Sequence, residues 1–438
     1  MIYKFICIVI LSSLILHLIS CSTTVNPGAT NTNTNTIVKF KLYVSKTGND
    51  SNNGSSTSPY FSIHKAISKA YEILSSTNGH VEIMIEEGLY KIDDGLSTAA
   101  TVYITNRMIS LAGGYNSDFS EVVGYSIIDV SNSIKQAIVV ENATNITISG
   151  IILRNGKTYS SSGGGMYIRN SIGITITNVE VSSNSAINAG GMYVENVKNS
   201  KFFIKVITNN SLNVGGGIVI TNSSGLELQV EMFNNVSVTY GGAIVIANSS
   251  NITLKGTITN NSSAYGGGVA ILGTNSRGNT INGDITLNTG TTGGGGIFIS
   301  NANTNTISAN LQGNRSPRGG GVYIANPVGQ IVISESIITN IDSTGSQRSC
   351  IFIHSITPNI SLIIDKCLIG GTTSSTVYGI YEDGSDITGH IITFNTFYAS
   401  TIYRFYRDQS GTEINNINTL NNSLDSDHDA ITVGNSSI

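Results

Sequence analysis

The chain has 438 residues, and only 11% of them are charged, against roughly 25% in ordinary soluble proteins. Its net charge of −4 is small and evenly spread, which argues against a nucleic-acid partner. Gly, Ser, Thr and Asn fill the gap, and 39% hydrophobic residues in ordered patterns argue against a disordered low-complexity chain.

Residues 1–20 read as a signal peptide. Lys4 supplies an early positive charge, and the apolar run from Phe5 to Ile19 is short and followed by a polar tract, unlike a membrane span. The leader closes on Leu18-Ile19-Ser20-Cys21, which resembles the bacterial lipobox. That resemblance implies cleavage before Cys21, diacylation of its sulfur and a membrane partner reached through the N-terminal lipid. It also implies, from Ser22 in place of Asp, onward transport to an outer membrane where one exists. An ordinary secretory leader with a chance cysteine is the alternative. Residues 21–40 are expected to form a flexible tether, since Ser22 to Thr36 is mostly Ser, Thr and Asn with one Pro-Gly pair. A coil of that length holds the domain roughly 20 Å from the lipid.

Residues 41–135 are expected to hold an N-terminal cap and the first coils of a repetitive domain. Ile63, Ala66, Ile67, Ala70, Tyr71 and Leu74 fall on one face of a helix. The stretch from Leu42-Tyr43-Val44-Ser45 through Gly48-Asn49-Asp50 and Ser58-Pro59-Tyr60 to that helix resembles the opening of bacterial pectate-lyase-fold proteins. Val81 to Tyr90, with its Gly88-Leu89-Tyr90 turn, is similar to the strand that follows there. The resemblance implies a short helix capping a β-helix.

From residue 136 to 438 the chain repeats. Gly163-Gly164-Gly165-Met166-Tyr167-Ile168 returns at 190, 215, 241, 266, 294 and 319, and in degenerate form at Ser349-Cys350-Ile351-Phe352-Ile353. Counted from the last small residue of each run, the first seven copies lie 26, 26, 26, 25, 28 and 25 residues apart. A second marker keeps the same phase: Asn184, Asn210, Asn235, Asn261, Asn288, Asn314 and Asn340. A fixed period of this length marks a solenoid. Asn tolerates a left-handed turn, and its amide can bond to the Asn stacked above and below. Pectate-lyase-like β-helices carry such a ladder. The fold class is therefore all-β, a single-stranded right-handed parallel β-helix of about 26 residues per coil with an N-terminal helical cap and a C-terminal cap.

After each glycine run, Met166/Ile168, Met192/Val194, Ile218/Ile220, Ile244/Ile246, Val269/Ile271, Ile297/Ile299 and Val322/Ile324 are expected to point inward by strand alternation. Tyr167, Tyr193, Val219, Val245, Ala270, Phe298, Tyr323 and Phe352 then point outward. These rings either present a contact surface for sugars or protein, or cover glycine-rich backbone. Gly241-Gly242-Ala243-Ile244 resembles the repeats of polymorphic outer membrane proteins. Those end in a C-terminal barrel, for which this chain leaves no length, so the resemblance implies a lipid at the N-terminus as the replacement anchor.

Chemistry is sparse. Between Val206 and Gln330 the charged residues are Glu227, Glu231, Lys255, Arg277, Asp284, Arg315 and Arg318, too few carboxylates for a calcium lyase site or a hydrolase pair. No nucleophile elbow, zinc motif or phosphate loop is found, and no metal or cofactor is expected. Asp365, Lys366, Glu382, Asp383, Asp386, His390, Arg404, Arg407 and Asp408 form a richer C-terminal group. It reads either as a small calcium or sugar site or as the polar cap that such rods require, to which Asp425, Asp427, His428 and Asp429 also belong. Cys350 and Cys367 are 17 residues apart, less than one repeat, which favours two small buried thiols over a disulfide. The expected function is that of a lipid-anchored cell-envelope surface protein, non-catalytic, structural or adhesive, with a glycan or protein ligand. The alternatives are a polysaccharide lyase or glycoside hydrolase with a divergent site in the C-terminal coils, and a periplasm-facing scaffold.

Overall fold

In the computed structural model the described residues are 37–91, 100–131, 133–341, 347–355, 362–371, 378–384, 390–398, 404–407, 411–422, 431–433 and 435–437. The signal peptide, Cys21 and residues 22–36 of the tether lie outside them. The chain winds into a right-handed parallel β-helix of about 11 turns, with about 27 residues per turn. Residues stack in register one coil apart: Met166 on Met192, Met192 on Ile218, Ile218 on Ile244 and Ile244 on Val269. The step grows from 25 or 26 residues there to 29 between Val322 and Ile351, which lifts the mean above the expected 26. Three sheets of 20, 13 and 5 strands, here called first, second and third, make up the stack, and the third spans residues 185–293.

The core follows from alternation. Every inward pair expected after a glycine run is buried, from Met166 and Ile168 to Val322 and Ile324, within one continuous cluster. Each such side chain contributes about 1.5–3 kcal/mol relative to leaving it in water. The glycine runs are where the chain bends into the second sheet. Gly241 has φ +62°, and a Cβ on Gly242 would lie 2.2 Å from the carbonyl oxygen of Gly267 in the next coil. Side chains are therefore excluded at this bend by the neighbouring backbone.

The asparagine ladder is present, with two corrections. Its members are Asn184, Asn209, Asn235, Asn261, Asn288 and Asn314, all buried. Asn210 is instead exposed at the start of Asn210–Val214, and the side chain of Asn340 lies outside the described residues. The left-handed residue is also not the ladder Asn but the one before it: Ser183, Thr208, Asn234, Asn260, Leu287 and Gly313 all have φ between +52° and +64°. That turn aims the next backbone N–H along the stack. Asn261 N–H and Nδ2 both donate to Asn288 Oδ1, at 2.9 and 3.0 Å, and Nδ2 also donates to the Met232 carbonyl. Choosing between adjacent Asn209 and Asn210 needs the phase of the turn, which the spacing of Asn residues does not supply.

Both ends are closed. Helix α1 (Ile63–Ser76) buries Ile63, Ala66, Ile67, Ala70 and Leu74, and its N-cap Ser62 accepts from Lys65 N–H. The strand Val38–Val44 pairs with Gly79–Glu86, so the last three residues of the expected tether belong to the fold. At the other end, α2 (Ile417–Asn422) buries Leu420, and Glu413–Ile414 runs antiparallel to Arg404–Arg407. Cys350 and Cys367 are buried free thiols. Cys367 takes a ladder position of its own, its N–H donating to Asn395 Oδ1 at 2.8 Å.

Two outcomes are expected. Asn261→Leu should cost about 1–3 kcal/mol of unfolding free energy, since it orphans buried N–H and carbonyl groups on two coils. Asn210→Leu should stay within about 0.5 kcal/mol, and equal denaturant midpoints for the two variants would show that the stacked amides do little. Burial pushes the Cys367 thiol up to about 12 and raises Cys350 as well. Neither should react with a thiol reagent at pH 8 until the protein is unfolded, and labelling of the native protein would contradict this burial.

Candidate functional site

The outer face of the first sheet is interrupted in its early coils. Strand Ile109–Tyr115 and strand Ser126–Asp129 would be one continuous edge but for residues 116–125, which fold outward as a small hairpin closed by Tyr115–Val122 pairing and by Val123 N–H on the Gly114 carbonyl. The two following coils carry an extra residue at the same column. These are Gly150 and Asn178, both left-handed, with φ of +64° and +51°. A Cβ on Gly150 would fall 2.2 Å from the Gly113 carbonyl oxygen, so only glycine fits under the hairpin. Asn178 is the last such bulge before residue 335, where the same column bulges again at Glu335, Lys366 and Phe394, with φ of +50°, +52° and +55°. From Lys198–Ile207 to Asn305–Gln312 the extra residue is absent, and the register shifts between Thr177 and Val179. A bulge bends its strand and re-aims side chains, here making a step in the face.

Beyond the step lies a groove of about 520 Å³, lined by Tyr125, Asn178, Glu180, Phe203, Lys205, Gln229 and Glu231. Tyr125 ends the hairpin and reaches over two coils to donate its hydroxyl to Asn178 Oδ1 at 2.7 Å. Its ring is 40% exposed, and that of Phe203 is 39% exposed. Strand pairing puts Glu180 beside Lys205 and Lys205 beside Glu231, so carboxylate, ammonium and carboxylate succeed each other on three coils. Lys201 and Glu227 form an ion pair at 3.3 Å on the same face. Flat rings flanking amide, carboxylate and ammonium groups suit a ligand that is apolar on its faces and hydroxylated at its edges.

Solved structures share this winding. The A-module of the Azotobacter vinelandii mannuronan C-5 epimerase AlgE4 matches over 86% of this chain and 92% of its own, at 14% identity and a TM-score of 0.43. A rhamnogalacturonan lyase matches over 90% and 87%, at 11% identity and a TM-score of 0.33. The tailspike of Escherichia coli bacteriophage HK620, solved with a pentasaccharide, matches over 85% and 74%, at 11% identity and a TM-score of 0.30. These likenesses concern the fold alone. No family model matches the chain, and no curated protein does.

The rings expected on the outside of the second sheet do point away from the core, but they are not a surface. Phe298, Tyr323 and Phe352 are 5%, 7% and 1% exposed, in a second apolar cluster with Val219, Val245, Ala270 and Tyr381. Tyr240 and Tyr265, at the ends of third-sheet segments, stack on Phe298 with ring centroids 5.8 and 4.9 Å away. The glycine bend folds the third sheet back against the second, so these rings are covered. Tyr167 and Tyr193 meet edge to face at 5.3 Å and are half-buried. Burial first, and a bond to Glu195 second, pushes the Tyr167 hydroxyl up to about 12.

The C-terminal group divides between the core and two faces. Glu382 is fully buried, stacked on Ile353 at an inward position, and accepts from the Tyr406 hydroxyl. His390 is fully buried as well. Asp383 faces outward on the second sheet, accepting from Gln347 at 2.9 Å with His354 3.9 Å away. Arg404 pairs with Glu413, and Arg407 lies 4.4 Å over the Tyr381 ring. Asp365 belongs to the first sheet, where it accepts from Thr393 at 2.8 Å and Lys366 is 3.6 Å away. Asp386, Asp408, Asp425, Asp427, His428 and Asp429 lie outside the described residues. Among the described residues no three His, Cys, Asp or Glu side chains gather to hold a metal.

The groove was absent from the sequence-based expectation. Its strand residues follow from stepping one repeat along the outward positions, from Thr177 to Phe203 to Gln229. Tyr125 carries no such signal, because its hairpin is an insertion outside the repeat.

Proposed function

We propose that this protein is a lipid-anchored rod of the bacterial cell envelope that binds glycan chains without cleaving them. The groove beside Tyr125 and Phe203 carries the reading: two exposed rings and five polar side chains line an open trough on a rigid β face. Pyranose rings present C–H faces to aromatic planes and hydroxyl edges to amides and carboxylates. A site built on paired strands holds its side chains fixed before the ligand arrives, which lowers the ordering cost of binding. The lipobox Leu18-Ile19-Ser20-Cys21 supports the anchor, with the Cys21 sulfur as the lipidated atom. The tether that follows would hold the rod clear of the lipid surface.

Replacing Cys21 with Ala should move the protein from the detergent phase to the aqueous or unprocessed fraction; unchanged partition would contradict the anchor. A glycan array read together with reducing-end release should show binding and no new reducing ends. Phe203→Ala should weaken that binding about tenfold, or ~1.4 kcal/mol, at an unchanged melting midpoint. Full affinity in this folded variant would remove the groove as the contact surface. Release of reducing ends that is lost with Glu180→Gln or Glu231→Gln would make the protein a hydrolase.

A further inference from the structure

The groove has one closed end. Besides Tyr125, its lining comes from residues 178–180, 203–205 and 229–231, three positions on each of three successive coils. Its long axis therefore crosses the strands and follows the rod, over about 10 Å at a strand spacing near 4.8 Å. On the N-terminal side stands the hairpin 116–125, with the Tyr125 ring laid over the bulged coil of Gly150 and fixed to Asn178. On the C-terminal side the face runs on through Thr253–Thr259, Thr280–Thr286 and Asn305–Gln312, continuous strands paired in register with no inserted loop. A polymer entering along the open side meets the tyrosine wall after about two sugar rings.

The charges narrow the polymer. Glu180 and Glu231 against Lys205 leave one net negative charge in the groove, and the neighbouring Lys201 is already paired with Glu227. A uronate chain would bring a carboxylate on every ring against Glu180 and Glu231, with Lys205 the one cation among the groove's lining residues and Lys255 one coil beyond Gln229. An uncharged glycan meets only hydrogen-bonding partners.

We infer that the groove holds the free end of an uncharged glycan, with the Tyr125 hairpin as the stop. This rests on the glycan reading above, and it adds that chain termini, not chain interiors, are recognised. The discriminating probes are pairs of neutral glucans that differ in having ends: malto-oligosaccharides against cyclodextrins, and linear against cyclic β-glucans, with polygalacturonate as the acidic probe. Titrated against the full-length protein in mild detergent, the linear member of a pair should bind, with affinity levelling off beyond about two or three rings. The cyclic member and polygalacturonate should bind at least tenfold more weakly. Tyr125→Ala should open the groove, so that affinity keeps rising with chain length and the cyclic form gains at least tenfold. Equal binding of linear and cyclic forms by the wild-type protein would overturn the end-recognition inference while leaving glycan binding intact. Tighter binding of polygalacturonate would overturn the uncharged class. Absence of binding to all of these and to every neutral glycan on the array would instead sink the glycan reading itself. The chain-length dependence is measured on the wild-type protein, so the inference stands or falls even if Tyr125→Ala does not fold.

Discussion

At the Asn and Ser corners of the rod a backbone N–H points along the stack, and a side-chain oxygen from the next coil receives it. In the longest such column the acceptor is the Asn amide, from Asn184 through Asn209, Asn235, Asn261 and Asn288 to Asn314. In another it is a hydroxyl, with Val197, Ser223 and Ser249 donating to Ser223, Ser249 and Ser276. A third uses Asn279 and Asn305. A buried donor left without an acceptor costs about 1–3 kcal/mol, so corners repeated along the stack would unfold it if they were not satisfied. The rod can be built only if every coil presents the right oxygen to the one before it. This explains why so weakly charged a sequence is so rich in Asn and Ser.

That constraint makes the coils alike, and alike coils make a uniform surface. Function then needs a break in the repeat. The hairpin 116–125 and the bulges at Gly150 and Asn178 are such a break in the early coils. They convert a flat sheet face into a walled groove without disturbing the core, because Ile151 and Val179 beside the bulges remain fully or almost fully buried. Strain tolerated at Gly150 and Asn178 thus sits beside the candidate site, the usual place for departures from local rules.

A second apolar layer outside the core has the opposite effect. Tyr240, Tyr265, Phe298, Tyr323, Phe352 and Tyr381 form a chain of ring contacts down the angle between the second and third sheets. Aromatic pairs of this kind contribute about 0.5–1.5 kcal/mol beyond their buried area. They tie successive coils together where the glycine runs leave no side chain to do so. Aromatic content on this side therefore serves stiffness, whereas the rings of Tyr125 and Phe203 on the first sheet stay exposed.

The sequence alone determined the parallel β-helix, the inward pairs from Met166 to Ile324 and the capping helix. Each depends on spacing along one chain: a 26-residue period, alternation along a strand, a helical face. It also placed the ladder, although the choice of Asn209 over Asn210 required the turn itself. What only the tertiary structure decided was exposure. Strand alternation sends Phe298 and Phe203 outward alike, yet one is covered by Tyr240 and Tyr265 and the other is open. The difference arises from how sharply the glycine runs fold one sheet onto the next. It likewise set Glu382 in the core and Asp383 on the surface, and brought Tyr125 to Asn178 across 53 positions of sequence. Periodicity fixes which side of its own strand a residue occupies, and only the packing of other strands fixes whether that side meets water.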